Sequence, residues 1–139
     1  MKKLVRCVLG GLVLLVASIA HAADYVVIVH KANVNPIDKA FVVKAYTGDT
    51  KTWPDGGPLM LIDQSEDSLV RVEFSKDALG RSVAQMKALW AQNVFSGRAL
   101  PPKIVDGDAE VKKGVAANKN AIGYIKSSSV DDSVKVVAK

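Results

Sequence analysis

The sequence predicts an α/β domain, and three observations carry that expectation. Short β-branched or aliphatic runs recur along the chain, segments with apolar residues at helical spacing lie between them, and Gly, Pro, Asn and Asp punctuate the junctions. Strands that alternate with helices bury their apolar faces by layering helices on a sheet. There is no internal repeat and no low-complexity segment.

The folding part is expected to begin after a leader. Lys2, Lys3 and Arg6 precede an apolar run from Val8 to Ile19, and Ala20-His21-Ala22 has the small-x-small form of a signal peptidase site. The run is too short to read as a membrane span. The expected organisation is a secretory signal peptide over 1–22 and one domain over 23–139, placed in the periplasm. Of the 19 basic residues 16 then remain against 14 acidic, a net charge of +2 on 117 residues. That charge is too small to argue for nucleic acid. The single cysteine, Cys7, leaves with the leader, so disulfide and thiol chemistry leave with it. The remaining chain has the length of one ordinary domain.

"YVVIVH" (25–30) reads as a buried strand, and "KANVNP" after it as a loop. Residues 37–46 read as a helix on the spacing of Ile37, Ala40, Phe41 and Val43, with Thr47-Gly48 as its stop. "TWPDGG" (52–57) is a turn-rich connector and "LMLID" (59–63) a second buried strand. Ser65 opens a helix to about Lys76, with Val70, Phe74 and Ala78 on one side. Ser82 to Phe95 reads as a further helix with Val83, Met86, Trp90 and Val94 as its stripe and Gly97 at its C-terminal cap. After "LPPK" (100–103), residues 108–118 read as an exposed, Lys-bearing helix, and "AIGYI" (121–125) and "VKVVA" (134–138) as short strands.

The residues available for chemistry are few. His30 is the one histidine after the leader, so a zinc site, which needs three or four converging ligands, lacks its donors. A serine nucleophile needs a histidine base that a third group orients, and nothing around His30 supplies that motif. Asp131-Asp132 and Asp106/Asp108 sit among turn residues, where Asp bonds its own backbone. No GxGxxG or phosphate-cradling Gly-rich loop is present. The expectation is a protein that is not an enzyme and carries no cofactor or metal.

Pro36, Tyr46-Thr47-Gly48, Trp53, Gly56-Gly57 and Phe74 stand in the stretch "NPIDKAFVVKAYTGDTKTWPDGGPLMLIDQSEDSLVRVEF" (35–74). That stretch resembles the phosphate-binding proteins of ABC transporters, members of the type 2 periplasmic binding protein superfamily, with Tyr46-Thr47-Gly48 in place of the family's Phe-x-Gly. "LWAQNVFSGRALPP" (89–102) resembles the small single-lobe relatives, and "ANKNAIGYI" (117–125) matches the family's Ile-Gly-Tyr strand entry. The resemblance implies a central mixed sheet flanked by helices, forming one lobe. Members of the family close two lobes of roughly 100 residues or more over the ligand. This chain has the length of one.

The resemblance also implies an anion site at the start of the Ser65 helix. The family has Arg, then Ser-Gly-Thr, with Phe four residues after the Thr. Matching on Phe74 places Gln64 at the Arg position, Ser68 at the Ser, Leu69 at the Gly and Val70 at the Thr. Gly lets backbone approach an anion, Thr adds a hydroxyl and Arg a charged fork, and all three are replaced here. A helix N-terminus still attracts anions. Glu66 and Asp67, expected in its first turn, oppose a dianion by roughly 1 kcal/mol or more each, and Arg71 offsets one of them. The expected ligand-binding face is Asn33, Gln64, Ser65, Ser68 and Arg71. The ligand is a small anion such as phosphate, held weakly, with a membrane transporter or sensor as the implied partner. The alternative is a ligand-free accessory or protein-interaction module that uses the lobe as scaffold.

Overall fold

A computed structural model describes residues 24–138, so the expected leader over 1–22 lies outside the described residues. Among the described residues five strands and four α-helices follow in the order β1 (Tyr25–Val29), α1 (Lys39–Tyr46), β2 (Met60–Gln64), α2 (Leu69–Asp77), α3 (Val83–Phe95), β3 (Lys103–Val105), α4 (Gly107–Ala117), β4 (Ala121–Lys126) and β5 (Lys135–Ala138). They form one mixed sheet of order β3-β2-β4-β1-β5. The strand β2 runs parallel to β3 and β4, and β1 runs antiparallel to β4 and β5. The α/β class and the mixed sheet flanked by helices stand as expected.

β1 explains itself from its sequence. Side chains alternate across a strand, so Tyr25, Val27 and Val29 pack on one face of the sheet while Val26 and Ile28 pack on the other. An unbroken apolar run is what a strand covered on both faces needs, and each buried aliphatic side chain contributes about 1.5–3 kcal/mol. The first face meets Val42 and Tyr46 of α1 and Val70 and Phe74 of α2. The second meets Val111 and Val115 of α4.

α4 is therefore not the exposed helix that its lysines imply. Val111 and Val115 are fully buried, because two glycines let the helix settle on the sheet. A Cβ at Gly123 of β4 would lie 2.5 Å from Val111 Cγ1, and one at Gly114 of α4 would lie 2.7 Å from Ile62 Cδ1. Lys112 and Lys113 sit between the buried positions and say nothing about the other side of the helix.

Three further expectations change. The segment after "LPP" forms β3, an edge strand too short to show a period. On α3 the inward position falls to Asn93 and not Val94, which is half exposed. Trp90 Nε1 donates to Tyr46 O at 2.9 Å and Asn93 Nδ2 to Thr47 O at 3.0 Å. Residues three apart on α3 thus satisfy carbonyls that the end of α1 leaves without helical partners, and this outweighs burial of a valine. The third change is the start of α2. Its cap is Ser68, whose side chain accepts from Arg71 N at 3.3 Å, and no acid lies in its first turn. Ser65 belongs to the preceding turn, where its N–H donates to Val105 O at 3.2 Å and its carbonyl accepts from Ser68 N.

Candidate functional site

The C-terminal end of β2 and the cap of α2 converge on a polar network at the end of the sheet. Gln64 is fully buried. Its Nε2 donates to Asp108 Oδ1 at 2.9 Å and to Tyr124 O at 3.0 Å, and its Oε1 accepts from Ser68 Oγ at 2.6 Å. Asp108 Oδ2 in turn accepts from Lys126 N and Ser129 Oγ. The Gln64 amide is thereby used on both sides by the protein itself.

Arg71 lies one turn into α2, 5% exposed. Its Nη1 donates to Gln64 O at 2.9 Å, and its Nε lies 3.5 Å from Asp63 Oδ1. That separation is within Coulomb reach but too long for a good hydrogen bond, and the Nε–H has no hydrogen-bond partner among the described residues. Asp63 also accepts from the Tyr124 hydroxyl and from Gln64 N. Burial, and then the Asp63 charge beside it, push the Tyr124 hydroxyl far above its ordinary pKa, so it serves as a donor to the carboxylate. Tyr46 is raised for the same two reasons, and its hydroxyl donates to Ile62 O and Ile122 O. Phe74 stacks on Tyr124 with ring centroids 3.9 Å apart and meets Tyr46 edge-on at 4.9 Å, which fixes the wall behind the carboxylate.

The structure thus joins Gln64, Ser68 and Arg71, with Ser65 on the adjoining turn. Asn33 is elsewhere. Ile122 of β4 is flanked by Leu61 of β2 and Val29 of β1, and Tyr25 pairs with Lys126. Gln64 therefore lies toward the start of β1, whereas Asn33 lies past its end. Asn33 Oδ1 accepts from Asn35 N and Nδ2, and its carbonyl accepts from Lys135 Nζ. His30 Nδ1 accepts from Ala32 N within the same turn.

Sequence reasoning missed Asp63, Asp108 and Tyr124, the three groups that hold the cluster. Asp63 reads as the end of a strand, Asp108 as a turn residue that bonds its own backbone and Tyr124 as part of a short strand; no local motif marks them as partners. Glu66, expected in the helix, is paired instead with Lys87 Nζ of α3 at 2.7 Å on the surface.

An open groove of about 610 Å³ runs beside this cluster, lined by Asp63, Glu66, Arg71 and Lys87 and by the apolar side chains of Val94 and Ile104. Two carboxylates face two cations, so the groove carries no net charge to draw an anion. Among the described residues no three His, Cys, Asp or Glu converge to hold a metal. No described helix is long and apolar enough to cross a membrane.

No protein-family model matches the sequence, and no curated protein does either. Solved structures do resemble it. One is a protein from Clostridium perfringens assigned as a phosphate ABC transporter substrate-binding protein, solved with bound phosphate. It matches with a TM-score of 0.67 and 27% identity over 82% of this chain and 44% of its own. An ABC-type phosphate transport receptor from Vibrio cholerae matches at 0.64 with 21% identity, over 82% and 45% of the two chains. PstS from Borrelia burgdorferi matches at 0.60 with 12% identity, over 83% and 46%. The fold is that of part of a phosphate-binding protein of this kind, and the chain spans less than half the length of the solved chains it matches.

Proposed function

We propose that this chain is an exported solute-binding module related to the phosphate-binding proteins of ABC transporters, one that holds phosphate weakly if at all. The observation that carries the reading is the position of Asp63. The guanidinium of Arg71 faces a carboxylate of the protein's own strand and a backbone carbonyl. Ser68 Oγ and Gln64 Nε2 are likewise spent on internal acceptors. What remains for an oxyanion at Gln64, Ser65, Ser68 and Arg71 is the N-terminal end of α2 and the Arg71 N–H groups that Gln64 O does not take. Asn33, also in the expected face, is buried past the end of β1, away from these four. The periplasm is the proposed location, with a transporter or sensor of the membrane as partner. Calorimetric titration of residues 23–139 with phosphate and sulfate tests this: the reading expects no saturation below millimolar ligand, and micromolar binding overturns it.

A second reading, an interaction module on the same scaffold, is favoured by one observation. Phe95 is 95% exposed and lines the open groove together with the half-exposed Val94 and Ile104. Contiguous exposed apolar surface of this kind marks contact sites. Photo-crosslinking from position 95 in a periplasmic extract tests it, with one recurrent adduct expected and a diffuse background counting against it.

A further inference from the structure

A second cavity, of about 370 Å³, lies where β3 leaves the sheet. β3 pairs with β2 only from Ile62 onward, with Lys103 opposite Ile62. Met60 and Leu61 therefore have a strand neighbour on the β4 side alone, and the space on their other side is the cavity. Leu59, Leu61, Ala45 and Trp90 line it together with Ala99 and Leu100.

The mouth carries two cations, Lys51 and Lys103, and no acid lines it. Backbone pairing fixes where both side chains start. The Leu59 N–H donates to Lys51 O at 3.1 Å and a bridge joins Thr52 to Pro58, while Lys103 is held in register on β3. Both lysines are exposed, and neither is ion-paired among the described residues. An apolar chamber at the small end of the size range of ligand pockets, with unpaired positive charge at its rim, is complementary to a molecule with an apolar body and an anionic head.

We propose that this cavity binds a small amphiphilic carboxylate, its hydrocarbon body against Leu59, Leu61 and Trp90 and its head between Lys51 and Lys103. It shares Trp90 and Pro101 with the groove beside Arg71 but none of that groove's charged residues, so the two sites report separately. The test is a methyl and indole NMR titration of residues 23–139, which contain every described element, using octanoate, with 1-octanol and inorganic phosphate as controls. The expected result is that octanoate shifts the methyls of Leu59, Leu61, Ala45 and Ala99, none of which lines the groove beside Arg71, that 1-octanol does so at least fivefold more weakly, and that phosphate does not. The double variant Lys51→Gln, Lys103→Gln alters only exposed positions, so it keeps the fold, and it weakens octanoate at least fivefold. Unmoved cavity methyls at millimolar octanoate, shifts confined to Val94 and Ile104, or equal affinity of the double variant each overturn the proposal.

Discussion

Arg71 Nε lies 3.5 Å from Asp63 Oδ1, with both side chains buried against the wall formed by Tyr124 and Phe74. A guanidinium on a helix that starts from a serine cap is a ready oxyanion receptor. Here a carboxylate two residues upstream of Ser65 occupies its charge. The carboxylate nearest the Arg71 guanidinium is thus Asp63, in the strand before the helix, and Glu66 lines the same groove paired with Lys87.

Gln64 ties strand, helix cap and α4 together, so its truncation leaves Ser68 Oγ, Asp108 and Tyr124 O short of partners. Gln64→Ala is expected to cost about 3 kcal/mol, the scale of several unmade buried hydrogen bonds. Urea unfolding followed by circular dichroism measures it. A loss under 1 kcal/mol contradicts the network.

Gly123→Ala is expected to destabilise by about 1–3 kcal/mol. The new methyl meets Val111 Cγ1, and α4 must lift from the sheet. The companion double variant with Val111→Ala should recover part of the loss, since the two positions share one contact.

On α3 the inward polar residue and the outward apolar one give opposite outcomes. Val94→Lys should change stability by no more than about 0.5 kcal/mol, whereas Asn93→Leu leaves Thr47 O unpaired and should cost about 1–3 kcal/mol. Thermal melts of the two variants side by side decide it.

All three tyrosines are held neutral by the fold, Tyr46 and Tyr124 by burial and Asp63, and Tyr25 by burial and its bond to Asp77. The folded state keeps protons that the unfolded chain releases near pH 10. Stability is therefore full below that pH and falls above it, by about 1.4 kcal/mol per pH unit for each of Tyr46 and Tyr124. Tyrosinate absorbance is expected to rise together with loss of the circular dichroism signal. A tyrosinate step in the intact fold near pH 10 contradicts the buried positions of these hydroxyls.

Every strand but β3 and the central helix faces are legible because β1 and β4 are largely apolar runs and Val70 and Phe74 keep helical spacing. The start of α2 is not: Ser65 and Ser68 are both good caps, and only the carbonyl of Val105, from a strand too short to show itself, holds Ser65 in the turn. Glycines at 114 and 123 bury α4, and their effect depends on a contact between distant segments. Within the candidate site, Gln64, Ser68 and Arg71 were found through the resemblance to phosphate-binding proteins. Asp63, Asp108 and Tyr124 were not, because their role is set by who faces them across the sheet.

The most direct measurement is the melting temperature of Asp63→Asn beside the unaltered protein, with and without millimolar phosphate at matched ionic strength. Removing one partner of a buried ion pair costs about 3 kcal/mol or more, and a ligand that binds only the folded state returns stability as it saturates. The account predicts a variant that melts lower and regains several degrees with phosphate, and an unaltered protein that phosphate does not move. Equal phosphate shifts in both proteins, or no phosphate response from the variant, would contradict Asp63 as the occupant of the Arg71 charge.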